Sequence, residues 1–213
     1  LGLEKDDEAK LIRLTKQPYG MILVTGPTGS GKTTTLYSVL NRLNKEDTKI
    51  LTAEDPVEFN FEGINQVAVR SDIGLTFAAA LRSFLRQDPD VIMVGEMRDR
   101  ETAEIAIRSS LTGHLVFSTL HTNSAPETIT RLLDMGLNPL NFSDAFLGVL
   151  AQRLTRRLCT KCHKDYTLSA EEFESLTTDY GTQYFDKTGI TYDEEMILHQ
   201  AGGCEKCSGT GYR

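Results

Sequence analysis

One octapeptide has the composition and spacing of a phosphate-binding loop. Residues 26–33 read GPTGSGKT and fit the pattern G-x-x-x-x-G-K-[ST], in which glycines let backbone N–H groups surround a chain of phosphates. Lys32 is expected to reach the β- and γ-phosphates, and the Thr33 hydroxyl to ligate Mg²⁺. A glycine turn that fits by chance is the alternative, and the strand and helix predicted on either side disfavour it. The predicted nucleotide-binding residues are Gly26, Pro27, Thr28, Gly29, Ser30, Gly31, Lys32, Thr33 and Thr34.

A second segment places carboxylates where a buried strand is predicted to end. Residues 52–59, TAEDPVEF, carry Glu54, Asp55 and Glu58 around a proline. Ligands of open α/β sheets gather at the carboxyl ends of the strands, and hydrolysis of a phosphoanhydride needs a carboxylate that orients the attacking water. We therefore predict catalytic roles for Glu54 and Glu58, with a polar turn at Asp55-Pro56 as the alternative.

A third segment, residues 88–99, reads DPDVIMVGEMRD, and its short apolar run is followed by Glu96. The segment is similar to a Walker B strand, although Val94 and Gly95 stand where the usual aspartate is expected. Glu96 is predicted to point toward Mg²⁺ and its waters. A solvated loop carboxylate is the alternative interpretation.

Two histidines flank another apolar run, in residues 113–125, GHLVFSTLHTNSA. His121 follows the run and is predicted to lie on the phosphate side, where an imidazole that changes charge near neutral pH can sense the γ-phosphate. A capping or core-lining histidine is the alternative. His114 precedes the run, at the opposite strand end, and there a structural role is favoured.

All four cysteines occur in two Cys-x-x-Cys pairs, Cys159 with Cys162 and Cys204 with Cys207. Four thiolates in two such pairs suit tetrahedral Zn²⁺ in a closed, structural site. Disulfides are disfavoured in a cytosolic protein, and a redox dithiol would not need a second pair. His163 adjoins the first pair, but the cysteines already complete four ligands.

The elements that must position these residues alternate along the chain. Apolar runs of strand length alternate with segments of helical spacing, which is typical of a largely parallel sheet with helices on both faces. This pattern predicts an α/β domain over residues 1–151 and a polar, cysteine-bearing domain over residues 152–213. The predicted strands are 21–25, 49–53, 64–69, 91–94 and 115–119, and the predicted helices after the phosphate loop are 32–43, 76–86, 101–111, 126–135 and 141–154.

Composition limits the classes of protein. The 213 residues carry a net charge of −7 with a pI near 5.2, which argues against a broad nucleic-acid-binding surface. No apolar run approaches the ~20 residues that a membrane-spanning helix needs, and no leader is evident. We expect a cytosolic or membrane-peripheral protein. The chain starts at a leucine and ends after a glycine-rich turn, so we interpret it as a fragment.

Four blocks in this order and spacing, GPTGSGKTTT, TAEDPVEF, LRSFLRQDPDVIMVGEMRD and GHLVFSTLHTN, resemble the motor ATPases of type II secretion and type IV pilus assembly. In that family they are the Walker A, Asp box, Walker B and His box motifs, and the absent Walker B aspartate is a family trait. The resemblance implies a RecA-like P-loop domain that hydrolyses ATP with Mg²⁺. It also implies catalytic roles for Lys32, Thr33, Glu58, Glu96 and His121. The cysteine-bearing segment resembles that of secretion and pilus-extension members, and retraction motors lack it.

The resemblance further implies partners and a location. The expected assembly is a homo-hexameric ring in the bacterial cytoplasm, peripheral at the inner membrane. The ring is expected to contact a membrane platform protein and a cytoplasmic adaptor, and no nucleic acid. Arg82, Arg86, Arg98 and Arg131 would support catalysis or subunit interfaces, with surface solubility as the alternative. In the family, arginine fingers come largely from an N-terminal domain, which we expect to be absent from this sequence.

Three other functions stay open from the residues alone. A retraction or conjugation-type ring ATPase shares the fold, although the two cysteine pairs disfavour it. A nucleic-acid motor would need an electropositive channel, which the acidic composition does not suggest. A non-catalytic nucleotide- and zinc-binding scaffold would bind ATP without turnover.

Overall fold

The computed structural model describes residues 2–213, which form two compact units, one ending at Leu154 and the other running from Thr155 to Arg213. The helices are α1 (Lys5–Leu14), α2 (Lys32–Leu43), α3 (Phe77–Phe84), α4 (Arg100–Leu111), α5 (Ala125–Asp134), α6 (Pro139–Phe142), α7 (Ala170–Tyr180) and α8 (Thr182–Phe185). The strands are β1 (Gly20–Thr25), β2 (Ile50–Glu54), β3 (Ile64–Ala68), β4 (Val91–Val94), β5 (Leu115–Leu120), β6 (Phe146–Ala151), β7 (Lys164–Thr167) and β8 (Ile197–Gln200).

The first unit is built on a six-stranded, wholly parallel sheet in the order β3-β2-β4-β5-β1-β6. Strands β1, β2, β4 and β5 are buried along their whole length, as expected for strands covered on both faces. Residues of α3, α4 and α5 pack on one face, and residues of α1 and α2 pack on the other. The predicted α/β class with a mostly parallel sheet is confirmed.

Side-chain caps fix where three of the helices begin. Thr76, Asp99 and Ser124 each accept a hydrogen bond from the backbone N–H three residues later. Such a cap satisfies one of the free N–H groups of a helix's first turn and stabilises the helix by ~1 kcal/mol. Because α4 and α5 start in the connections that follow β4 and β5, these caps also set the course of the loops that carry Glu96 and His121.

The predicted helix over residues 141–154 is wrong. The chain forms a short helix, α6, and then strand β6, which pairs in parallel with β1 at the edge of the sheet. The segment FLGVLA is uniformly apolar except for one glycine, so its periodicity does not separate a buried strand from a buried helix. Pairing with β1 decides in favour of the strand.

The other predicted elements of the first unit agree with the structure. Helix 32–43 and strand 91–94 are confirmed to the residue, and the remaining boundaries shift by one or two positions. Among the described residues, no helix is both long and apolar enough to cross a membrane.

The second unit combines an antiparallel two-stranded ribbon, β7 with β8, and helix α7. A capping box starts α7, in which Ser169 and Glu172 each bond the other's backbone N–H. The buried apolar residues of this unit are few: Cys159, Leu168, Phe185 and Cys207. A unit with so small a core needs a further source of stability.

Candidate nucleotide-binding and metal sites

The phosphate loop connects β1 to α2, and two of its glycines are required by geometry. Gly26 has φ of 147°, and a Cβ there would lie 2.4 Å from the Gln152 carbonyl oxygen and 2.6 Å from Ser30 Oγ. Gly31, which immediately precedes α2, has φ of 84°. A side chain at Gly26 would therefore clash, and one at Gly31 would be strained.

Lys32 folds back into this loop. Its Nζ donates hydrogen bonds to the carbonyl oxygens of Gly26 at 2.9 Å and Pro27 at 3.1 Å. Partial burial lowers the pKa of the Lys32 ammonium, and the charge of Glu96 opposes that shift. The ammonium is thus already held over the loop, where phosphate oxygens can replace the two carbonyls as its partners.

The Asp-box glutamate Glu58 lies beside the predicted Mg²⁺ ligand. The Thr33 hydroxyl donates to Glu58 Oε1 at 3.1 Å, and the Glu58 backbone N–H lies 3.3 Å from the Tyr37 hydroxyl oxygen. Mg²⁺ prefers oxygen ligands, and these hydroxyl and carboxylate oxygens form a donor set that fits it.

Glu54 is arranged differently from the other acids. Its side chain is buried, with only 3% of the residue exposed, and it accepts hydrogen bonds from Tyr37, Thr52 and Gln66. Burial, followed by the bond to Glu54, raises the pKa of Tyr37 to about 12. Three donors satisfy the carboxylate, so Glu54 anchors Tyr37, while Glu58 is free to meet a ligand.

Glu96 is held from two sides. Its Oε2 accepts from Arg98 Nε at 2.7 Å, and its Oε1 lies 3.2 Å from His121 Nε2. Arg98 also reaches Asp55 Oδ2 at 3.3 Å, and the hydrogen bond to Glu96 raises the pKa of Arg98. Arg98 therefore connects the Walker B segment to the Asp box, and Glu96 connects it to the His box.

A single cleft of about 590 Å³ brings most of the predicted residues together. Its lining combines the phosphate loop with the acids and the histidine at the strand ends, and Leu36, Tyr37, Phe77, Met93 and Leu154 add apolar surface. Predicted site residues in the lining are Thr28, Gly29, Gly31, Lys32, Thr33, Thr34, Glu54, Glu58, Glu96 and His121. Gly26, Pro27 and Ser30 belong to the loop but do not line the cleft.

The four arginines take different positions. Arg98 contacts Glu96, whereas Arg82 pairs with Glu101 on the surface. Arg131 lines a neighbouring cavity of about 450 Å³ that also includes Glu96 and His121. Arg86 is exposed just after α3. Interface roles for these arginines stay predictions.

Sequence reasoning missed Gln152. Its Nε2 donates to the Ser30 carbonyl at 2.6 Å, its Oε1 accepts from the Thr35 hydroxyl at 2.9 Å, and its backbone N–H bonds the Thr25 carbonyl at 2.9 Å. Gln152 follows the last residue of β6, so recognising that segment as a strand beside β1 would have brought it to the loop. The predicted helix concealed it.

The four cysteines of the second unit form one cluster, with their sulfurs within 4.8 Å of one another. Sulfur–sulfur distances are 4.0 Å for Cys159 and Cys204, 3.7 Å for Cys162 and Cys207, and 3.8 Å for Cys204 and Cys207. Tetrahedral Zn²⁺ with ~2.3 Å bonds places its sulfurs about 3.8 Å apart. The cluster therefore fits zinc.

Backbone amides also favour the thiolate of one cysteine in this cluster, Cys207. The N–H groups of Cys204 and Gly211 point at Cys207 Sγ from 3.3 and 3.2 Å, and these bonds, that of Cys204 first, lower the pKa of Cys207 to about 6. Zinc binds the deprotonated sulfur.

Comparisons with known proteins agree with this geometry. The family model described as "Type II/IV secretion system protein" matches residues 1–213. The chain is 56% identical to the Type IV pilus assembly ATPase PilB of Myxococcus xanthus, covering 100% of this chain and 36% of that protein. It is 60% identical to PilB of Pseudomonas aeruginosa, with coverage of 100% and 36%. It is 50% identical to the Type II secretion system protein E of Dickeya dadantii, with coverage of 100% and 40%.

Solved structures share the fold. The pilus retraction motor PilT with bound ADP aligns with a TM-score of 0.63 at 37% identity, covering 88% of this chain and 57% of that one. The Legionella pneumophila ATPase DotB aligns with a TM-score of 0.64 at 32% identity, covering 72% and 45%. The chain thus spans between a third and two fifths of the length of the curated relatives named above.

Proposed function

Because the chain belongs to the type II/IV secretion system protein family, we propose that its full-length protein is a motor that hydrolyses ATP to extrude pilus or pseudopilus subunits. The observation that carries the proposal is the single cleft in which the phosphate loop faces Glu58, Glu96 and His121. A loop that binds phosphate needs only its own backbone and Lys32. Carboxylates crowded around it are electrostatically unfavourable for phosphate unless they hold a cation or a water.

Each side chain then has a role in the reaction. Lys32 exchanges the carbonyls of its loop for oxygens of the β- and γ-phosphates, and the loop amides bind the rest of the phosphate chain. Thr33 would ligate Mg²⁺, which supplies charge neutralisation on the phosphates when bound, and Glu96 and Glu58, which line the same cleft, would orient the waters around it. Glu96 or Glu58 receives the hydrogen bond of the attacking water.

His121 and Arg98 control Glu96. Arg98 donates a hydrogen bond to one oxygen of the Glu96 carboxylate and His121 Nε2 lies 3.2 Å from the other, so a γ-phosphate that competes for His121 would release one of those contacts. His121 can therefore report the presence of the terminal phosphate to the Walker B acid, as its place after β5 suggests.

Among these relatives, the pilus assembly proteins are more similar to the chain than the secretion protein, at 56% and 60% against 50% identity. This difference favours pilus extension as the machine. The proposed working unit is a homo-hexamer in the bacterial cytoplasm that contacts an inner-membrane platform protein and a cytoplasmic adaptor. The zinc-binding unit is proposed as a structural module.

The test uses the full-length protein purified with its native membrane partners. We expect Mg²⁺-dependent ATP hydrolysis that Lys32→Ala abolishes and that Lys45→Ala, at an exposed lysine after α2, leaves unchanged. Binding of ATP without turnover would contradict the motor and favour a scaffold. Stimulation by DNA would favour a nucleic-acid motor, and co-purification of pseudopilins in place of the major pilin would favour secretion.

A further inference from the structure

The ribbon of the second unit carries a cluster of possible metal ligands in addition to the four cysteines. His163, Asp165 and His199 each offer one nitrogen or oxygen atom, and these atoms lie within 4.8 Å of one another. We propose that these three side chains form a second metal site, which binds a late first-row divalent ion such as Zn²⁺. The proposal does not depend on the motor function.

The backbone places all three residues on one face of the ribbon. Asp165 of β7 lies directly opposite His199 of β8 in the antiparallel register. Side chains alternate between the two faces of a strand, so residues two apart share a face. His163 lies two positions before Asp165, immediately before β7 begins at Lys164, and its ring lies against that of His199 with centroids 4.6 Å apart.

A hydrogen bond outside the proposed site already orients His163, and a second bond holds His199 beside Asp165. His163 Nδ1 lies 3.2 Å from the Cys159 carbonyl oxygen, and a ring that donates there keeps Nε2 available as a ligand. His199 Nδ1 lies 2.8 Å from Asp165 Oδ1. Histidines that bind metals are commonly fixed as His163 is, by a backbone carbonyl on the other nitrogen. An ion shared by His199 and Asp165 would take His199 Nδ1 as its ligand atom and replace the hydrogen bond between the two side chains.

The ligand set also selects the kind of ion. Two imidazoles with one carboxylate suit zinc, copper, nickel and iron, whereas calcium and magnesium prefer oxygen ligands alone. Zinc with bonds of ~2.1 Å holds its tetrahedral ligand atoms about 3.4 Å apart. The most widely separated ligand atoms would therefore close by at most about 1.4 Å from the present limit of 4.8 Å. His199 Nδ1 and Asp165 Oδ1, now 2.8 Å apart, would move slightly apart. Rotation about the bonds of these exposed side chains can supply both movements.

The second site should differ from the cysteine site in lability. Its three ligands are exposed and leave coordination positions to water, whereas the four sulfurs close a tetrahedral site. A bound ion would link β7 to β8, and any ligand that binds only the folded form stabilises it. The ribbon would thus gain stability as free zinc rises above what the cysteine site requires.

The experiment measures zinc uptake by the full-length protein that already holds one zinc ion on its cysteines. Equilibrium dialysis against buffered Zn²⁺, followed by metal analysis, should show one additional ion per chain at higher free zinc. Asp165→Asn and His199→Asn should each weaken the additional uptake by at least about tenfold, because each removes a ligand of the ion. Asp179→Asn, at an exposed position of α7, should leave it unchanged.

Two results would overturn the proposal. One is the absence of additional uptake up to millimolar free zinc. The other is additional uptake of equal affinity in the wild type, His199→Asn and Asp165→Asn, which would place the ion elsewhere, for example on His121 and Glu96. Retention of the first zinc ion by each variant shows that the second unit is still folded, so a loss of uptake reports the site itself.

Discussion

The side-chain amide of Gln152 lies 2.6 Å from the backbone carbonyl oxygen of Ser30 and donates a hydrogen bond to it. The two residues are 122 positions apart, yet Gln152 also bonds Thr35 and Thr25 on either side of the same loop. Strand β6 therefore holds the phosphate loop in shape from the side of the sheet. Removal of this support should therefore weaken nucleotide binding even when the loop sequence itself is intact.

We predict that Gln152→Glu weakens nucleotide binding about tenfold. A carboxylate at position 152 cannot donate a hydrogen bond to the Ser30 carbonyl oxygen. A buried polar group that loses its hydrogen-bond partner costs ~1–3 kcal/mol of free energy, and ~1.4 kcal/mol corresponds to a tenfold change in affinity. The added negative charge also lies beside the phosphates. Calorimetric titration with ADP measures the change, and Gln17→Glu, at an exposed position, controls for charge. Equal affinity in both variants would show that the loop keeps its shape without Gln152.

The sequence predicts the phosphate loop well because that site is local. Eight consecutive residues contain its glycines, its lysine and its hydroxyl, and the apolar run before it and the helical spacing after it predict the flanks. The fold class follows from the same alternation. Glu58, Glu96 and His121 were placed from a general property of parallel sheets, in which strand ends gather at one edge.

Contacts between distant segments were not predictable in this way. The apolar segment of β6 has no periodicity that excludes a helix, so only its pairing with β1 identifies it. The burial of Glu54 depends on Tyr37 and Gln66, which come from α2 and β3. The cluster on the ribbon depends on the register of β7 with β8, which the sequence does not specify.

We expect Tyr37→Phe to destabilise the first unit by ~1–3 kcal/mol. The hydroxyl donates to Glu54, which is buried, and a buried carboxylate that loses a donor is costly. Denaturant unfolding followed by circular dichroism provides the free energy of unfolding. Tyr19→Phe is the matched control because Tyr19 is 51% exposed. An unchanged stability would mean that Thr52 and Gln66 satisfy Glu54 without Tyr37.

The same tyrosine predicts a pH dependence. Folding raises the pKa of Tyr37 from 10.0 to about 12, so between these values the unfolded chain loses a proton that the folded chain keeps. The contribution of Tyr37 to the free energy of unfolding is therefore complete below pH 10 and is lost as the pH rises toward 12. The melting temperature should thus fall less steeply over this range in Tyr37→Phe than in the wild type. Parallel slopes would contradict the prediction.

Zinc removal should unfold the second unit selectively. The unit has few buried apolar residues, and structural zinc supplies folding free energy directly. Metal analysis should find about one tightly bound ion per chain, and Cys204→Ser should lose it. Hydrogen exchange after chelation should show loss of protection in residues 155–213 and retention in β1, β4 and β5. A protein that is metal-free and fully protected in both units would contradict the zinc assignment.

Arg98→Ala should lower kcat about tenfold and leave the KM for ATP within about twofold. Arg98 bonds Glu96 at 2.7 Å and Asp55 at 3.3 Å, and neither of these partners belongs to the phosphate loop. Its loss frees Glu96 to rotate, which affects the orientation of the attacking water more than the binding of substrate, and a misplaced catalytic group slows the chemical step.

Arg100→Ala removes a comparable exposed pair, with Glu104 at 2.7 Å, and controls for lost charge, since exposed pairs contribute ~1 kcal/mol or less. Steady-state hydrolysis by the full-length variants distinguishes the outcomes. A rise in KM with kcat unchanged would show that Arg98 acts on substrate binding, and equal rates in both variants would show that His121 alone suffices to hold Glu96.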